Sequence, residues 1–194
     1  MPDDITAARL PKLVPDQLDA AQRAVYDAIT GGDRAKGPRH FPLTDADGAL
    51  GGPFGVMLHS PGVGGTLQDL GAKIRFHTDL TARVREAAIL QVARVLGSDY
   101  EWWAHTRVGR AAGLTDDEIA SLSSGSYLGA DPVEAASATL VAILLESNVV
   151  NDEQFAVLSE ALSTQQIVDL TVLVGYYRTL AQLMAVFDVG VPED

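Results

Sequence analysis

The stretch "REAAILQVARVLGSDYEWWAHTRVGRAAGL", Arg85 to Leu114, decides how the whole chain reads. Its periodicity describes two helices broken at Gly97-Ser98-Asp99. At 100° per residue, Val84, Ala88, Ile89, Val92, Ala93 and Leu96 form one apolar face. Arg85 falls inside that face and Glu86 on its border, while Arg83 and Arg94 are expected on the opposite, solvated side. On the following helix Glu101 and His105 are four apart and share a face with Val108 and Ala112. Two acids and an imidazole among alanines, valines and tryptophans call for a chemical explanation. A carboxylate beside an imidazole fixes its tautomer and raises its basicity, which suits general acid–base catalysis. The competing reading is an ordinary Glu–His pair on a solvated helix face.

Outward from this stretch the pattern remains helical. Asp16–Thr30 repeats Leu18, Ala21, Val25 and Ile29 on one face, with Pro15 before it and Gly31-Gly32 after it. Residues 31–55 carry no period and many Gly and Pro, and are expected to form a long loop that closes as an arm over a cleft or a neighbouring subunit, with Arg39, His40 and Phe41 in contact. "FGVMLHSP" is a short apolar segment, after which a helix runs from the Ser60 region to about His77. Thr81 caps a helix to Leu96, and Ser98 begins another to Ala112. Thr115 with Glu118 forms a capping box. Pro132–Ser147, Asp152–Leu162 and Thr164–Phe187 complete an all-α set of about seven or eight helices, read as one domain over residues 1–194. The last helix is apolar on most of its surface, which predicts a central position or a subunit contact.

Composition narrows the function. A net charge of −12 argues against nucleic-acid binding, which needs clustered Lys and Arg. The absence of cysteine removes disulfides, thiolate nucleophiles and zinc–thiolate or iron–sulfur sites. The acidic, Pro-containing start has no signal-peptide h-region, so the cytoplasm is the expected compartment. No membrane span is expected, because Asp169 and Arg178 interrupt the longest apolar run. His40, His59 and His77 lack metal-ligand spacing, so no metal site is expected.

The segments "PFGVMLHSP", "LTARVREAAILQVARVLGSDYEW" and "HTRVGRAAGLTDDEI" together resemble the carboxymuconolactone decarboxylase-like family, which shares a fold with alkylhydroperoxidase D. The resemblance covers about Pro53 to Ser124. It matches Glu86 to the glutamate, and His105 to the histidine, of the peroxidase branch, whose two cysteines fall on Ser98 and Glu101. The decarboxylase branch has a Glu-x-x-x-His at Glu101 and His105 but no clear counterpart of Glu86, so the chain departs from both patterns. The resemblance implies an all-helical homo-oligomer, trimer or hexamer, with no cofactor. The implied activity is a lyase that decarboxylates a small cyclic carboxylic acid or lactone. His105 is then the proton donor, Glu101 its orienting partner, Glu86 a second acid or base, and Arg85 the anchor for substrate or oxyanion. Tyr100, His77, Trp102 and Ser98 are further substrate-binding candidates. Isomerisation, dehydration or lactone hydrolysis at the same residues, and a non-catalytic small-molecule-binding oligomer, are the alternatives.

Thiol peroxidase chemistry requires a thiolate, and the chain has none. Purified protein supplied with hydroperoxide and a dithiol reductant should show no turnover above buffer; metal-free turnover would refute the acid–base reading.

Overall fold

The structure, a computed structural model, describes residues 9–32, 36 and 40–192. Arg39, expected to make contacts from the arm, lies outside them. A short 3-10 helix, Pro15–Gln17, precedes nine α-helices among the described residues. These are α1 Ala20–Gly31, α2 Gly52–Met57, α3 Pro61–Phe76, α4 Ala82–Leu96, α5 Asp99–Ala111, α6 Asp116–Ser124, α7 Pro132–Glu146, α8 Asp152–Leu158 and α9 Thr164–Phe187. The only β pairing described is an isolated antiparallel bridge between Thr44 and Leu50. The fold is therefore all-α.

Two expectations shift. The first helix begins at Ala20, because Asp19 and Gln22 form a capping box there and Pro15 opens a separate 3-10 turn. The 31–55 loop ends early. "GPFGVM" is helix α2, with Pro53 in its first turn, and Asp45 accepts from the amides of Asp47 and Ala49 to close a tight turn ahead of it.

The chain divides into two compact units, one up to Asp69 with Gln182 onward, the other Leu70–Ala181. The first unit buries Val25, Ile29, Leu50, Phe54, Met57 and Leu58. In the second, α4 packs against α5, α6 and α7. Thr81 accepts from the amide of Val84 to start α4. Gly97, in the left-handed region at φ 62°, ends it and reverses the chain into α5. Glycine at 109 leaves room on α5 for the side chain of Leu114. A Cβ there would stand 3.7 Å from the Cβ of Glu86 and 2.9 Å from Leu114.

α9 is the one helix among the described residues long and apolar enough to cross a membrane by length and composition. Its Asp169 and Arg178 do not break that pattern as expected. In the protein, Leu170, Leu173, Val174, Tyr177 and Leu180 are buried core residues.

Arg83 is not on a solvated face, whereas Arg94 is. The Arg83 guanidinium donates to Glu134 (2.7 Å), to Glu118 (2.6 Å) and to the Gly113 carbonyl. Glu134, only 5% exposed, also accepts from Tyr127 Oη and the Ala130 amide, both at 2.9 Å. This clamp ties the first turn of α4 to the starts of α6 and α7. Its hydrogen bonds from Arg83 hold the Glu134 carboxyl down at about 2, against the opposing effect of burial.

A carboxyl held below its usual 4.5 contributes stability above that pH and loses it as pH falls toward 2. The melting temperature should drop across that interval. Arg83→Leu should destabilise by roughly 3 kcal/mol, since it strands a buried carboxylate, and should flatten the acid dependence; denaturant melts at pH 7 and pH 3 measure both.

Candidate functional site

The α4–α5 reversal sets Glu86 opposite His105. Glu86 has no exposed surface, Glu101 3% and His105 6%. His105 Nδ1 stands 2.6 Å from Glu86 Oε2, and Nε2 stands 3.1 Å from Glu101 Oε2. Both ring nitrogens therefore face carboxylate oxygens. Carboxylates only accept, so an imidazolium donating both N–H groups satisfies this geometry.

Two guanidiniums neutralise the second carboxylate oxygen of Glu86. Arg85 Nε lies 3.4 Å and Arg75 Nη1 3.8 Å from Glu86 Oε1. Three formal positive charges (His105, Arg75, Arg85) face two negative ones (Glu86, Glu101), leaving +1 in a chain of net charge −12. The Tyr177 ring packs edge-on against the imidazole at 5.2 Å, and Tyr176 packs edge-on against Tyr177. Three buried polar atoms here have no hydrogen-bond partner: Arg85 Nε, Glu86 Oε1 and Glu101 Oε1. Buried polar atoms normally find partners, so three orphans in one place mark this group as incompletely satisfied.

Burial lowers the His105 pKa, but the charge of Glu86 and hydrogen bonds to Glu101 and Glu86 outweigh it and push it up to about 9. Burial raises the Glu86 carboxyl, but the charge and hydrogen bond of His105, with Arg75 and Arg85, carry it below its usual range. Burial, then the charges of Glu101 and Glu86, pushes the Tyr177 phenol well above its usual value.

The structure thus brings together Glu86, Glu101, His105 and Arg85. It does not bring all the other candidates to them. Trp102 packs against the core cluster of Ala87, Leu90, Leu114, Ile119 and Leu122, as its indole is large and apolar. His77 is exposed just past the end of α3. Ser98 is the N-cap residue of α5 without a side-chain cap bond, and its backbone closes the turn. Tyr100 is buried with its ring 5.6 Å from that of Trp103, and burial followed by the charge of Glu101 pushes its hydroxyl above the usual range. Arg75 and Tyr177 were missed. Arg75 was visible only as a basic residue in the last turn of a helix, and Tyr177 only as one of two phenols in an otherwise aliphatic helix. Among the described residues no group of three or more His, Cys, Asp or Glu is placed to hold a metal.

Residues 61–142 match the model of the carboxymuconolactone decarboxylase family. An uncharacterised peroxidase-related protein of Ralstonia eutropha, described as an alkylhydroperoxidase AhpD core, superposes with a TM-score of 0.75 at 14% identity, covering 95% of this chain and 92% of that one. A candidate antioxidant defence protein AhpD of Agrobacterium tumefaciens, itself of unknown function, superposes at 0.63 with 20% identity, over 70% of this chain and 94% of that one. A variant of the debrominase Bmp8, in complex with 2,3,4-tribromopyrrole, superposes at 0.66 with 12% identity, over 93% and 90%. No curated protein matches the sequence. Residues 61–142 are thus similar to the carboxymuconolactone decarboxylase family, and the chain shares the all-helical fold of the AhpD-like structures.

A group whose folded pKa is raised stabilises the fold below its usual value and loses that contribution as pH rises through the raised one. The His105 contribution should therefore be complete below about pH 6.5 and fade through about pH 9. An NMR titration of the His105 ring should show it protonated at pH 7.5, and Glu86→Gln should shift its midpoint downward.

Proposed function

We propose that this carboxymuconolactone decarboxylase-like protein is an enzyme that uses buried acid–base groups and no cofactor to decarboxylate a small cyclic carboxylic acid or lactone. The observation that carries the reading is the His105 imidazole held between Glu86 and Glu101 at 2.6 and 3.1 Å, beside Arg85 Nε, which ion-pairs with Glu86 and makes no hydrogen bond. The net positive charge of the group favours an anionic substrate despite the acidic chain.

The geometry changes the roles assigned from sequence. With both nitrogens occupied, His105 has no free N–H to present to a substrate. The free acceptor is Glu101 Oε1, so Glu101 handles the proton and His105 is its store. The substrate carboxylate sits against Arg85 Nε. The C–C bond breaks, CO₂ leaves, and the electron pair forms an enolate stabilised by the positive charge of the group. The carbon then takes a proton from the Glu101 carboxyl group. That proton derives from His105 Nε2, which becomes neutral and is reprotonated from water. Glu86, fixed by Arg75 and Arg85, keeps the imidazole oriented and favours its return to the charged form.

Loss of this relay should cost the factor of roughly 10²–10⁴ typical of general acid–base catalysis. CO₂ release from a panel of small cyclic carboxylic acids should identify a substrate. On it, Glu101→Gln and His105→Gln should lower kcat comparably, and Arg85→Gln should mainly raise KM. Full turnover in Glu101→Gln would refute the role of that carboxylate.

We also infer a homo-oligomer. In the second unit α9 exposes Val168 (55%) and Val172 (40%) in line with Gly175 and Thr179, a flat, small-residue stripe fit to receive another subunit. Light scattering should give a mass above 20.5 kDa at micromolar concentration, and Val172→Lys should reduce it.

A further inference from the structure

The first unit contains a cavity of about 180 Å³ that the acid–base chemistry does not use. Its wall is mostly apolar: Leu10, Leu13, Leu50, Val56 and Val189 contribute, with Lys12 and His59 as the polar side chains. An apolar cavity of about 150 Å³ is large enough to take up benzene, so this one accommodates a single six-membered ring with one substituent.

The two polar side chains define what that substituent is. Lys12 is committed: its ammonium lies 2.6 Å from Asp45 and 2.5 Å from Asp47, so two carboxylates over-neutralise it and an anion gains nothing there. His59 is half committed. Its Nε2 lies 3.1 Å from the carbonyl oxygen of Pro11, and a carbonyl can only accept, so Nε2 carries the proton. In the neutral ring Nδ1 is then a bare acceptor, and it has no protein partner among the described residues. One acceptor on an apolar wall selects a neutral ring bearing one donor.

The segment from Arg9 to Leu13 forms one side of the cavity and is held by three polar contacts. Arg9 donates to the Val186 carbonyl at 2.8 Å, His59 to Pro11, and Lys12 pairs with Asp45 and Asp47. All three are exposed, and exposed pairs contribute little each.

We propose that this cavity is a second small-molecule site, which binds a neutral monocyclic ring with one hydroxyl donor, phenol being the simplest member, with the ring against Leu50, Val56 and Val189 and the hydroxyl donating to His59 Nδ1. The site is independent of the acid–base reading: it takes neutral rings, whereas the Arg85 group favours anions.

The test is an amide-resolved NMR titration of the full chain with phenol, toluene and benzoate. Phenol should perturb residues 10–13, 49–59 and 189 with a millimolar dissociation constant, toluene should bind there several-fold more weakly, and benzoate should leave those residues unchanged. His59→Leu should weaken phenol roughly five- to tenfold, the worth of one neutral hydrogen bond, and leave toluene unchanged. Val189→Trp, which fills the cavity from the C-terminal segment, should abolish both, with an unchanged amide spectrum elsewhere confirming the fold. The proposal is overturned if phenol perturbs none of these residues, if phenol and toluene bind equally, or if Val189→Trp binds both as tightly as the wild type.

Discussion

The buried imidazole between two carboxylates is the constraint around which the second unit is arranged. A lone charge at this depth would carry a desolvation penalty of several kcal/mol and would neutralise itself. Two carboxylates with one imidazolium leave a surplus negative charge, and Arg75 and Arg85 at Glu86 Oε1 remove it. Each group is tolerable only because the others are present. That requirement fixes the register of α4 against α5, across which His105 meets Glu86 at 2.6 Å.

The same helix carries a second ionic cluster with a different purpose. Arg83, Glu118, Glu134 and Tyr127 leave none of the named polar groups orphaned, and they join helix starts and a loop. The His105 group leaves three atoms orphaned. A satisfied network rigidifies, and a buried polar atom left unpaired is costly. The two clusters thus differ in how completely their polar groups are satisfied.

The comparisons set the frame within which that chemistry is read. Proteins described as peroxidase-related, as AhpD and as a debrominase share the all-helical architecture at 12–20% identity, which establishes the fold and leaves the reaction to the site. The resemblance drawn from sequence sets Glu101 where the peroxidase branch has a cysteine. In the structure that residue contacts His105 and keeps one oxygen free. A carboxylate at such a place cannot take up electrons as a thiolate does, and the proposed acid–base function accords with that residue type.

The sequence by itself determined the helices, because their signals are local: the Thr81 cap, the Thr115–Glu118 box and the Gly97 reversal all lie within a few residues of the ends they set. It also placed Glu86, Glu101 and His105 on faces that had to meet, since a two-residue reversal leaves little choice. It missed α2, whose six residues are too short to show a period, and it misread Arg83, whose partners lie 35 and 51 residues away. Only the tertiary structure decided that Glu86 takes one imidazole nitrogen and Glu101 the other. Only the tertiary structure brought Arg75 and Tyr177 to the group from α3 and α9. Helical periodicity reports which face a residue occupies, whereas the partner across that face is set by packing between segments far apart in the chain, and the charge of His105 depends on those partners.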